Sequence, residues 1–228
     1  MAKESTLDDL YSEFAKAGSF KENFYDWHGL NKDLFLLIND IHTGWYDSLM
    51  LTITEIGNHK LFIYYMAFIT FYAVVSTLSR KLTRRPGMKV HMSKWFGVLT
   101  VLLIGYGAMG LTVKTLKSEV ALPRPYEALG SSKVTLLQEQ PSEKDYESFP
   151  SGHSAFIAFM VTALWPVLGG GLGFIAVMLV LLTGWSRIAL GVHFPADVIG
   201  GLMIGFFITL TVRMILYSIY RKLFRLPC

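Results

Sequence analysis

The chain has 228 residues, of which 52% are apolar and only 17% charged, and its formal net charge is +4. A single cysteine, Cys228, excludes an intrachain disulfide and a cysteine-built metal site. The basic residues fall mainly in short segments between apolar runs, a placement that points to a membrane rather than to nucleic acid.

The N-terminus is polar and acidic, so no secretory leader is expected. Leu7, Leu10, Tyr11 and Phe14 recur at helical spacing and predict a helix lying in the membrane interface. Leu34–Ile56 is amphipathic and interrupted by Asp40, Asp47 and Glu55. It reads as helix or helices along the bilayer, with a re-entrant segment or a sixth span as the alternative. Residues 1–59 are therefore expected to form an amphipathic region at the membrane surface, and residues 60–228 a transmembrane domain.

Five apolar stretches follow. Leu61–Ser79 and Trp95–Val113 carry no charge over close to the roughly twenty residues that a bilayer core requires. Ser154–Gly170 comes next, bounded by the Gly169-Gly170-Gly171 turn. Leu172–Trp185 and Val198–Val212 reach spanning length only by continuing into Ser186–Arg187 and Arg213–Tyr220. The expected fold is all-α, a polytopic bundle of five or six membrane helices with polar chemistry mounted on helix ends.

Charge sets the orientation. Arg80, Lys81, Arg84, Arg85, Lys89 and Lys94 lie between the first two stretches without an acid, and Arg221, Lys222 and Arg225 lie in the tail. Both segments are expected in the cytoplasm, because cationic loops are poorly translocated. Residues 114–153 and 186–197 then share the extracytoplasmic face. The N-terminal region joins them there, and its ten acids against four basic residues before Lys60 do not oppose translocation.

Those two segments hold the residues suited to phosphate chemistry. Lys117 and Arg124, with Lys114 a weaker candidate, stand at a helix end, and Pro125 fixes the backbone after Arg124. Each alone reads better as a snorkelling cation that touches lipid headgroups. Together with Arg187 they offer a guanidinium fork and a mobile ammonium charge for a phosphoryl group. Pro150-Ser151-Gly152-His153 precedes an apolar helix, with Ser151 a natural N-cap and Gly152 permitting close approach of an anion to the free N–H groups. In the third segment His193 and Asp197 are four residues apart, and Pro195 suits the first turn of the last helix. Asp197 reads either as a structural cap or as the carboxylate that fixes the His193 tautomer, leaving the other ring nitrogen free to attack.

Lys117-(six residues)-Arg124-Pro125, Pro150-Ser151-Gly152-His153 and Ser186-Arg187-(five residues)-His193-(three residues)-Asp197 together resemble the three-part signature of the type 2 phosphatidic acid phosphatase superfamily. That family shares its core with vanadium haloperoxidases and bacterial class A acid phosphatases. The resemblance covers residues 95–212, about half of the chain. It implies that His193 is the nucleophile forming a phosphohistidine and Asp197 its orienting partner. It also implies that His153 is the general acid and then base. Lys117, Arg124 and Arg187, aided by Ser151 and Gly152, would be the phosphate clamp. No metal and no other cofactor is implied.

The expected activity is metal-independent hydrolysis of a membrane lipid phosphate or pyrophosphate in a bacterial inner membrane. Family prior favours undecaprenyl pyrophosphate over phosphatidylglycerol phosphate, phosphatidate or a lipid A phosphate. A lipid-to-lipid phosphotransferase would use the same pocket. A non-catalytic lipid-binding protein would have little use for both histidines. The loop from Tyr126 to Phe149 is expected to cover the pocket and shape the choice of headgroup.

Overall fold

The computed structural model describes residues 25–130, 132–138 and 145–224. The helix expected around Leu7 to Phe14 lies outside them. Among the described residues the regular elements are helical: α1 (Leu30–Asn39), α2 (Gly44–Ile56), a 3-10 turn (His59–Leu61), α3 (Phe62–Leu82), α4 (Met88–Val120), α5 (Pro125–Leu129), α6 (Gly152–Leu164), α7 (Gly170–Ala189) and α8 (Pro195–Phe224). Leu34–Ile56 is thus two helices, separated at Asp40–Thr43.

Among the described residues, four segments are long and apolar enough to cross a membrane: His59–Leu82, Met88–Leu129, Gly170–Ala189 and Pro195–Lys222. Gly152–Val167 is a shorter apolar fifth. These correspond in order to the five apolar stretches. α3 exposes Ile63, Phe68, Phe71, Val74 and Leu78 around its surface, an arrangement that water would penalise and lipid accepts. The chain is a multi-pass membrane protein.

Helix limits follow local chemistry. α7 runs through Ser186–Arg187 and α8 through Arg213–Tyr220, so the two short stretches do lengthen into their charged ends. α4 has 33 residues, about 50 Å at 1.5 Å per residue, so it outlasts a hydrocarbon core of about 30 Å. Its last turn, with Lys117, therefore stands clear of the apolar layer.

The third stretch differs from expectation. α6 ends at Leu164, passes through a 3-10 turn at Trp165–Val167, and α7 begins at Gly170. Pro166 is the reason, since it has no N–H for the helical ladder and its ring crowds the preceding turn. The triple glycine is consequently a helix start, with Gly169 as N-cap, rather than a turn.

α6 is the centre of the bundle, packed against α4, α7 and most extensively α8. Gly201 and Gly205 on α8 let the two backbones meet: a Cβ on Gly205 would lie 2.8 Å from the Phe159 nitrogen, and one on Gly201 would strike the Ser151 carbonyl. Small residues four apart are a common device for close approach between membrane helices. Two apolar clusters result. One lies within the membrane helices around Trp95, Leu102, Phe156 and Phe159. The other, around Phe35, Ile53, Leu190, Val192 and Phe194, packs α1 and α2 against the segment joining α7 to α8.

Candidate active site

All three motifs meet at one end of the bundle, because α4 and α7 finish there and α6 and α8 start there. Main-chain bonds stitch them together. The Ser151 N–H donates to the Asp197 carbonyl at 2.9 Å, and Arg124 Nη1 donates to the Val192 carbonyl at 3.0 Å.

Arg124 is the N-cap of α5, with Pro125 following it at the helix start, and it is buried. Its Nη2 reaches the Glu147 carbonyl at 3.5 Å, and Lys117 Nζ donates to that same carbonyl. Lys114, one turn earlier on α4, is exposed. Ser151 caps α6 as expected, accepting from the Ser154 N–H at 3.4 Å and the Ser154 hydroxyl at 3.0 Å. The N–H groups of Gly152 and His153 belong to the first turn of α6, where no intrahelical acceptor exists.

Arg187, in the last turn of α7, is 2% exposed. Its Nη1 donates to Thr54 Oγ1 at 2.6 Å and to Gln138 Oε1 at 2.7 Å, while its Nε has no acceptor among the described residues. A buried guanidinium N–H without an acceptor is an open valence that an anion can fill.

His193 lies in the connection to α8 and is 2% exposed; its Nδ1 stands 3.4 Å from Asp197 Oδ2. Asp197 is the structural cap that its position suggested, and it also lies beside the imidazole. It caps the first turn, accepting at Oδ2 from the Phe194 N–H at 2.8 Å. The same oxygen faces the imidazole and accepts from the Ser148 hydroxyl at 2.6 Å. Oδ1 accepts from the Tyr25 hydroxyl at 2.9 Å.

Burial holds the His193 imidazole well below its usual range, and the positive charges of Arg124, Lys117 and Arg187, with His153, push it the same way. Both effects favour the neutral form of the ring. Its folded-state pKa lies below that of the unfolded chain, about 6.5, so the unfolded chain gains the proton first as pH falls. The stability linked to His193 is complete above about pH 6.5 and is lost as pH falls beneath that, at no more than about 1.4 kcal/mol per pH unit. Melting temperatures in detergent between pH 7.5 and 5 should fall less steeply for His193→Gln than for the parent chain; equal slopes would contradict a buried neutral imidazole.

Four contributors to this end of the bundle carry no sequence signal: Tyr25, Thr54, Gln138 and Ser148. Gly57 is a fifth. A Cβ there would lie 2.6 Å from Thr183 Cγ2 and 3.2 Å from His153 Cβ, so its lack of a side chain lets the end of α2 close over His153. The loop after α5 does reach the motif residues, through Gln138 to Arg187, Glu147 to Arg124 and Ser148 to Asp197. It is held by Asn39, which bonds both Thr135 main-chain groups at 2.9 Å. Among the described residues, no three His, Cys, Asp or Glu side chains gather as a metal site would require.

A multi-pass helical membrane protein with a buried histidine–carboxylate pair beside two arginines and a lysine is the class that this fold and site define. The chain belongs to the PAP2 superfamily, whose model matches residues 98–222, and is a membrane phosphatase of that family. It is 26% identical over 181 residues to an undecaprenyl-diphosphatase of Sulfolobus acidocaldarius, covering 79% of this chain and 76% of that protein. The crystal structure of Aquifex aeolicus LpxE matches with a TM-score of 0.62 at 25% identity, over 81% of this chain and 94% of that one. A PAP2-type phosphatidylglycerolphosphate phosphatase from Bacillus subtilis shares the fold, with a TM-score of 0.62 at 22% identity over 96% and 98% of the two chains.

Proposed function

We propose that the chain hydrolyses a lipid diphosphate or monophosphate, with undecaprenyl diphosphate the preferred substrate, through a phosphohistidine at His193. The observation that carries this reading is the buried His193 beside Asp197, with Arg124, Arg187 and Lys117 near enough for their charges to act on its ring. These groups sit at the head of helices whose flanks face lipid, so a headgroup can enter while its chain stays in the membrane.

In this mechanism the Nε2 lone pair of His193 forms a bond to phosphorus as the bond to the leaving oxygen breaks. Asp197 holds the Nδ1 proton and stabilises the positive ring that results. His153 gives the leaving oxygen its proton, then takes one from a water that attacks phosphorus, breaks the N–P bond and releases phosphate. Arg124, Arg187 and Lys117, with the first-turn N–H groups of Gly152 and His153 and the cap Ser151, bear the charge on the equatorial oxygens. No step calls for a metal ion. The basic 80–94 loop supports a location in the bacterial cytoplasmic membrane with the motif end extracytoplasmic.

The test is phosphate release by the purified full chain in detergent, with excess chelator, across undecaprenyl diphosphate, phosphatidylglycerol phosphate and phosphatidate. Free phosphate appears with every accepted lipid at the same rate with or without chelator, fastest from undecaprenyl diphosphate. Loss of activity in chelator would contradict the mechanism, and a different ranking would reassign the lipid.

A further inference from the structure

Asp197 is completely buried, and its two oxygens are served differently. Oδ2 is crowded: the Phe194 N–H and the Ser148 hydroxyl donate to it at 2.8 and 2.6 Å, and His193 Nδ1 faces it at 3.4 Å. Among the described residues, Oδ1 has one donor, the Tyr25 hydroxyl at 2.9 Å. A carboxylate turns about a single bond, so anchoring one oxygen fixes where the other points. Nothing among the donors to Oδ2 does this alone, because that oxygen can keep a bond to Phe194 or Ser148 while its lone pairs swing away from the imidazole.

Tyr25 is held to this task by packing. Its ring meets Phe149 edge-on at 6.1 Å and 82°, and Phe194 at 6.2 Å and 77°. Those two rings flank the second and third motifs, so the phenol is wedged between them with its hydroxyl directed at the carboxylate. Edge-on aromatic pairs of this kind favour a defined ring orientation, and a phenol has few torsions to spend in adopting it.

We infer that Tyr25 is a positioning residue for the phosphoryl-transfer step: by fixing Asp197 Oδ1 it keeps Oδ2 aligned on His193 Nδ1, and so keeps Nε2 aimed at phosphorus. This rests on the reading of His193 as nucleophile and Asp197 as its orienting partner. The hydroxyl meets the carboxylate beside the nucleophile, so its effect is expected on the chemical step more than on binding.

Tyr25→Phe isolates the effect, since it keeps the wedged ring and removes only the donor. In the full chain, with undecaprenyl diphosphate as substrate, kcat should fall about tenfold. KM, the inhibition constant of inorganic phosphate and the melting temperature in detergent should stay close to those of the parent, the first two within about twofold. An unchanged kcat would overturn the proposal. So would a parallel loss of kcat, phosphate affinity and melting temperature, which marks a merely structural tyrosine. His193→Gln measured alongside separates the two levels. Phosphate release surviving in that variant defeats the mechanism itself, whereas an inactive His193→Gln beside a Tyr25→Phe of parental kcat defeats the role of Tyr25 alone.

Discussion

His193→Gln should lower phosphate release by at least about 10⁴-fold while the chain stays folded and its lipid binding survives. The reason is that His193 has no substitute. Asp197 is a carboxylate already engaged by Tyr25, Ser148 and Phe194, and His153 belongs to a different helix, at the start of α6. Glutamine nearly fills the buried space between Val192 and Phe194 but offers no lone pair that can attack phosphorus. Arg124, Arg187 and Lys117, the proposed phosphate clamp, are untouched, so competitive inhibition by inorganic phosphate should persist. A variant that still released phosphate within tenfold of the parent rate would show that another group attacks.

The second large effect is expected at Arg187. Arg187→Lys preserves the charge but replaces a planar fork with a point charge on a flexible stem. In the parent, Nη1 is fixed by Thr54 and Gln138, which leaves Nε, unpaired among the described residues, to be aimed at the anion. A lysine cannot hold those two acceptors and an equatorial oxygen in the same geometry. kcat/KM should drop on the order of 10²- to 10³-fold, the range found when a preorganised donor is removed from a developing oxyanion. A loss of less than about fivefold would mean that Arg187 is a structural cation that ties α7 to α2.

The contrast between these residues and Tyr25 marks how far the sequence could be read. His153, Arg187, His193 and Asp197 sit at helix ends in fixed spacings, and a helix end forces near neighbours in sequence to be near neighbours in space. The apolar stretches were legible for the same local reason, down to the continuation of α7 into Arg187 and of α8 past Arg213. Pro166 was a local signal too, and its power to end α6 before the glycines outweighed the uncharged run around it. Tyr25 and Thr54 reach their partners across 172 and 133 residues. Ser148 and Gln138 do so across 49. A hydroxyl or carboxamide that donates or accepts one bond leaves no periodicity behind, so only the packing of α1 and α2 onto α7 and α8 reveals them.

Asp197 carries a similar lesson. Cap and catalytic partner were competing readings of one position; the cap is seen directly at Oδ2, and the same oxygen lies 3.4 Å from the His193 ring. The turn that presents His193 is the turn that Asp197 closes.

The most direct measurement is a rapid quench of the parent chain, in excess chelator, with substrate labelled in its terminal phosphate. If His193 is the nucleophile, label appears on the protein before steady state as an acid-labile, base-stable adduct, maps to the peptide bearing His193 and is absent from His193→Gln. Phosphate release without any labelled protein, or label that requires a divalent cation, would contradict the phosphohistidine mechanism.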